Sequence, residues 1–147
     1  MKQLFAFAVF AIFSIAANST TLECSGVLRT NNPNPYVPNP YGFNGQRAVE
    51  SILIQIKERL APQCGYESKW NCGTVLISGN EFLNGDYLIS FATSTKIGIS
   101  KKNEKIDWIG DIYRFTGEVA LYRQDKIDNQ TNSLYFEGRC IAKERLF

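Results

Sequence analysis

The chain has 147 residues, a formal net charge of +2 and no histidine. Sixteen basic side chains face fourteen acidic ones without forming a basic cluster, which leaves little electrostatic pull on nucleic acid or anionic lipid. The missing histidine excludes Ser-His-Asp and Cys-His catalysis and the histidine-rich metal centres of many secreted hydrolases.

The chain opens MKQLFAFAVFAIFSIAANS, with Lys2 ahead of an apolar run from Leu4 to Ala17 that small residues close. These are the charged, greasy and cleavage regions of a secretory signal, and the run is too short to span a bilayer comfortably. Both Ser14-Ile15-Ala16 and Ala17-Asn18-Ser19 fit the small-x-small rule. The reading is therefore a signal peptide over 1–19 and one domain over 20–147, secreted or periplasmic. Lys2 leaves with the leader, so the mature chain is almost neutral. Lipidation at Cys24 does not fit, because Glu23 stands where a small residue is required.

Four cysteines in a short exported chain predict two disulfides. Three pairings are open. Position favours Cys64 with Cys72, which bracket GYESKWN, and Cys24 with Cys140, near the two ends of the mature chain. Without histidine or paired Cys-x-x-Cys hooks, zinc has no ligand set; neither a metal nor a cofactor is expected.

The stretch NNPNPYVPNPYGFNG, from Asn31 to Gly45, holds four of the five prolines and repeats Pro-Asn-Pro-Tyr. Each proline fixes φ and restricts the residue before it, so the segment is neither helix nor central strand and should run extended. Its Tyr36, Tyr41 and Phe43 either offer aromatic faces to a ligand or lie over an open end of the fold as packing. The bracketed loop CGYESKWNC offers Tyr66 and Trp70 on a tip that a crosslink would hold rigid, or else a plug over its own disulfide.

Between them, QRAVESILIQIKERL carries Val49, Ile52, Leu53, Ile56 and Leu60 at helical spacing, with Asn44 as N-cap and Pro62 beyond the end. Ile52, Ile54 and Ile56 also alternate as in a strand. Only Ile54 breaks the helical pattern, so the periodicity favours one helix over 46–60.

The remainder reads as strands. LECSGVL, VLISGNEF, YRFTGEVALY and YFEGRCIA each set a glycine among strand formers (Gly26, Gly79, Gly117 and Gly138), as bulges and bends of a closing sheet do. Tyr113 to Phe115 and Val119 to Leu121 alternate with period two. Asn84-Gly85 predicts a two-residue hairpin setting Phe82 opposite Tyr87. KIGIS and IDWIGDIYRF form a second hairpin across KKNEK, and DKIDNQTNS is a loop before the last strand.

The predicted fold is mainly β, a small antiparallel barrel or sandwich of about six to eight strands with two disulfides. The functional expectation is a non-catalytic binding protein for a protein or glycan, with no nucleic-acid partner and no membrane insertion. It would contact its ligand through Tyr36, Tyr41, Phe43, Tyr66 and Trp70. Inhibition of an extracellular hydrolase such as a lysozyme or protease is the alternative. Glycosidase chemistry from carboxylates alone, with Glu81, Asp86, Asp107, Asp111 and Glu118 available, is the weakest reading because no pair stands out. Calcium has oxygen ligands in Asp125, Asp128, Asn129 and Asn132, but their spacing does not follow an EF-hand loop.

Overall fold

Alternation decides the architecture. Val75 and Ile77 are buried while Thr74 and Leu76 face out; Tyr87 and Ile89 are buried while Asp86, Leu88 and Ser90 face out. A strand with one apolar face must cover it, and a sheet that curls onto itself covers all such faces at once while leaving no unpaired edge. The computed structural model, which describes residues 19–31, 41–59, 72–103, 105–127 and 130–143, is such a closure.

Eight antiparallel strands run in chain order: β1 (Ser19–Asn31), β2 (Gly45–Glu58), β3 (Gly73–Ser78), β4 (Gly85–Ala92), β5 (Lys96–Lys102), β6 (Ile106–Tyr113), β7 (Glu118–Ile127) and β8 (Gln130–Ala142). Each pairs with the next and β8 pairs back to β1, closing the barrel. The interior is filled by side chains, among them Leu28, Ile54, Ile99, Tyr87, Trp108 and Phe136. Burying each such aliphatic or aromatic group contributes roughly 1.5–3 kcal/mol before the entropy of ordering it is charged.

The expected helix over 46–60 is a strand. β2 pairs with β1 and β3 along its length, and Ile52, Ile54 and Ile56 point into the barrel. The helical spacing has a local cause. Cys24 faces Ile52 but Gly26 faces Val49, so β2 carries one residue more than β1 at that point. This bulge makes the step from the buried Val49 to the buried Ile52 three residues instead of two, which imitates a helical step.

Three smaller expectations also change. The β3–β4 connection is not a two-residue turn at Asn84-Gly85 but runs from Gly79 to Asn84, so Tyr87 faces Val75 rather than Phe82. Asn80 organises it: its carbonyl accepts from Leu83 and Asn84, and its side chain accepts from the Phe82 amide. Phe115 lies beyond the end of β6, in the turn to β7, and is 81% exposed. The expected loop DKIDNQTNS is mostly strand, with β7 reaching Ile127 and β8 starting at Gln130.

The seam between β1 and β8 joins the first strand to the last. Cys24 lies opposite Cys140 with Cα atoms 3.9 Å apart, and a disulfide joins them. Two residues on, Gly26 lies opposite Gly138, and the strands come so close that a Cβ on Gly26 would sit 2.6 Å from the Gly138 Cα. Glycine is needed there by proximity. Gly79 (φ 100°) and Gly117 (φ 69°) instead occupy turns that need a left-handed residue. Cys72, just before β3, is also disulfide-bonded and no described cysteine is free; its expected partner Cys64 lies outside the described residues. Such crosslinking is consistent with an oxidising compartment.

Candidate functional site

Strand polarity fixes where the loops emerge. The β1–β2, β3–β4, β5–β6 and β7–β8 connections share one end of the barrel, here the upper end; the β2–β3, β4–β5 and β6–β7 connections share the lower end. The Pro-Tyr segment joins β1 to β2 and the CGYESKWNC segment joins β2 to β3, so they leave from opposite ends. Tyr36, Tyr66 and Trp70 lie outside the described residues.

At the upper end, Tyr41 and Phe43 turn their rings inward. Tyr41 is 5% exposed and meets Phe82 edge-on at 5.9 Å between centroids, and Phe43 packs on the same ring at 5.9 Å. Beneath them Arg123 projects from β7 into the barrel, its guanidinium 5.6 Å from the Tyr41 ring centroid and 5.3 Å from that of Trp108. Its Nε donates to Asp125 Oδ1 at 2.8 Å and its Nη1 donates to the Phe82 carbonyl at 3.2 Å. Burial, then the neighbouring Asp125 carboxylate, pushes the Tyr41 hydroxyl well above the usual phenol range. A hollow of about 350 Å³ remains above this group, rimmed by Glu81, Lys105 and Ile106. Because the guanidinium is stacked on two rings and tied to a buried carboxylate, the arrangement closes the barrel end as a plug.

The lower end carries a second hollow of about 360 Å³ over Leu22, Ile56, Ile97 and Ile112. Arg114 spans its rim, with both guanidinium nitrogens on the Glu58 carboxylate and Nε donating to the Thr93 carbonyl at 2.8 Å. That clamp ties the end of β2 to the β4–β5 turn.

The third concavity lies on the outer wall, where no single strand announces it. Register aligns Leu88, Ser100, Ile109, Tyr122 and Tyr135 in one row across β4 to β8. Leu88, Ile109 and Tyr135 are 55%, 59% and 40% exposed, although side chains at alternate positions on a solvated wall are ordinarily polar. The Tyr122 and Tyr135 rings pack at 4.8 Å with a 41° tilt, and the Tyr122 hydroxyl is 3.2 Å from Ser133 Oγ. Burial, then the electrostatic effect of the neighbouring Tyr122 hydroxyl, raises the Tyr135 hydroxyl above its ordinary pKa.

A second bulge shapes this wall. Ile89 faces Ile99 but Phe91 faces Gly98, so one extra residue shifts Phe91 to the outer side of the sheet, where its neighbours still bury it to 7% exposure. Its ring packs against Gly98, where any Cβ would collide with it. Lys96 Nζ stands 5.1 Å from the Phe91 centroid and 3.2 Å from Asp111 Oδ2. The result is a groove of about 410 Å³ between Phe91 and the tyrosine pair, with Ser90, Ser100, Asp111 and Glu137 on its sides.

The acidic residues considered for glycosidase work do not converge. Asp107 pairs with Lys126 at 3.0 Å, Asp111 with Lys96 and Glu118 with Arg139 at 3.8 Å, each along its own stretch of wall. The Lys126 ammonium donates to Asp107 and holds that carboxyl below its usual value. No group of three or more metal-ligating side chains occurs among the described residues, and Asp125 is already committed to Arg123. Compared with known proteins, the chain matches no family model, no curated protein and no solved structure.

Proposed function

We propose that this chain is a non-catalytic binding protein of a secreted or periplasmic space, and that it meets its ligand with the outer wall of the barrel. One observation carries the reading: the interior is packed with side chains, whereas the wall exposes Leu88, Ile109 and Tyr135 in an aligned row, with Tyr122 half-buried among them, beside a groove. Eight-stranded barrels either fill their interior or hold one small ligand there, and the middle of this one is filled, with a hollow left at each end. Leu76, Tyr113, Phe115 and Ile141 are exposed elsewhere, but an aligned run of apolar and aromatic groups beside a groove marks a contact site. The charged Lys57, Asp86, Lys126 and Arg139 elsewhere on the wall face outward, the inverse of a lipid-facing barrel, which supports a protein that stays outside the bilayer.

The test uses the mature, disulfide-bonded protein and the extracellular or surface fraction of its source. Wild-type protein should co-sediment with material from that fraction. An Ile109→Asp/Tyr135→Ser variant, altered only at half-exposed positions, should lose this retention by about tenfold or more while its thermal melt stays put. Equal retention of the variant would remove the wall from the account.

A further inference from the structure

We infer that the wall groove takes an uncharged oligosaccharide; this deepens the reading of the wall as the contact face and rests on it. The argument starts from what lines the groove. A sugar ring has an apolar C–H face, suited to an aromatic surface, and a perimeter of hydroxyls that both donate and accept hydrogen bonds. The groove offers both halves of that match: the tilted Tyr122 and Tyr135 pair as the surface, with Tyr135 40% exposed, and the Asp111 and Glu137 carboxylates as strong acceptors around it. Ser90 and Ser100 add hydroxyls that can act either way.

Charge selects the neutral member of that class. Each carboxylate has a cation within reach: Lys96 lies 3.2 Å from Asp111, and Arg29 lies 2.6 Å from Glu137. Two positive groups thus offset two negative ones, so the groove presents hydrogen-bonding capacity without net attraction for an anion or a cation. An acidic or basic polymer would meet a like charge beside an opposite one at each pair, so its own charge would bring it no net affinity. The volume of about 410 Å³ falls within the range of small-ligand clefts and is open along the wall, which suits a chain that enters and leaves the groove. A protein partner would be expected to bring an anchor into a dry apolar pocket, and carboxylates facing into this groove work against such an anchor.

The experiment titrates the mature protein with chitohexaose, cellohexaose, maltohexaose, xylohexaose and mannohexaose, with polygalacturonate as the charged control, read by calorimetry and by the methyl resonance of Ile109. At least one neutral hexaose should bind saturably and shift that resonance. Tyr135→Ala should weaken it by about tenfold or more, as truncating a central aromatic contact does, and Tyr135→Phe should retain most of it. Leu76→Ala, on the wall of β3, should leave it unchanged. Failure of all five neutral sugars, preference for polygalacturonate, or binding indifferent to Tyr135→Ala would each overturn the inference. If the sugars fail while the Ile109→Asp/Tyr135→Ser variant still loses surface material, the wall remains the contact face and its occupant is a protein.

Discussion

Replacing Arg123 by Met should lower the stability of the barrel by about 3–5 kcal/mol, the usual result of stranding a buried charge. Asp125 has a side chain only 5% exposed, and Arg123 is its ion-pair partner. Met has nearly the length to keep the space between Tyr41 and Trp108 filled, so the loss should come from charge and hydrogen bonding rather than from a void. The Phe82 carbonyl would lose its Arg123 donor at the same time. The double variant Arg123→Met/Asp125→Asn removes the stranded charge and should recover most of the loss. Urea unfolding of the three proteins measures this directly. A single variant as stable as wild type would mean that water reaches Asp125 and that the upper end is not a plug.

Removing the seam disulfide, with Cys24→Ser/Cys140→Ser, should cost about as much. The crosslink spans 116 residues, and loop-closure entropy for so long a span is worth roughly 4–5 kcal/mol. For a domain of this size the melting temperature should fall by about 10–20 °C. The barrel should still close at low temperature, because β1 and β8 remain paired from Leu22–Ala142 to Asn31–Ser133. A drop of only a degree or two would show that this ladder and the close Gly26–Gly138 approach hold the seam unaided.

Much of this architecture was legible in the residues. Period-two alternation in β7, the glycines at Gly26 and Gly138, and the positions of Cys24 and Cys140 all pointed to a closing sheet tied first strand to last. The helix misreading arises at a bulge, and the others at turns and strand ends. In β2 the extra residue between Val49 and Ile52 shifts the buried set by one position, and a shifted strand shows an apolar spacing of three that a helix also shows. A strand-only reading needed the partner sequence on β1, which is distant in the chain. A like bulge in β4 sets the side of Phe91, which follows from the register with Gly98 and not from its own strand.

The candidate site was less legible for a related reason. Leu88, Ile109, Tyr122 and Tyr135 come from four strands, and nothing in any one of them says that they fall in a row. The available signal was negative: Leu88 and Ile109 are apolar at positions where their strands should turn a polar face outward. Tyr41 and Phe43 stood out because they sit among prolines, yet that local setting favours packing over an end as much as recognition, and their rings are turned inward on Phe82. Arg123 and Asp125 gave no hint, since a charged pair two residues apart on a strand usually lies in solvent; here Leu121, Arg123 and Asp125 share the inner face.

The central claim, a filled barrel that works by contact at its outer wall, is tested most directly by site-specific photocross-linking. A benzoylphenylalanine placed at position 135, inside the row, or at position 55, on the wall of β2, is irradiated in the presence of the extracellular or surface fraction of the source. The account predicts a defined adduct from position 135 and none from position 55. Adducts from both positions alike, or from position 55 alone, would contradict it.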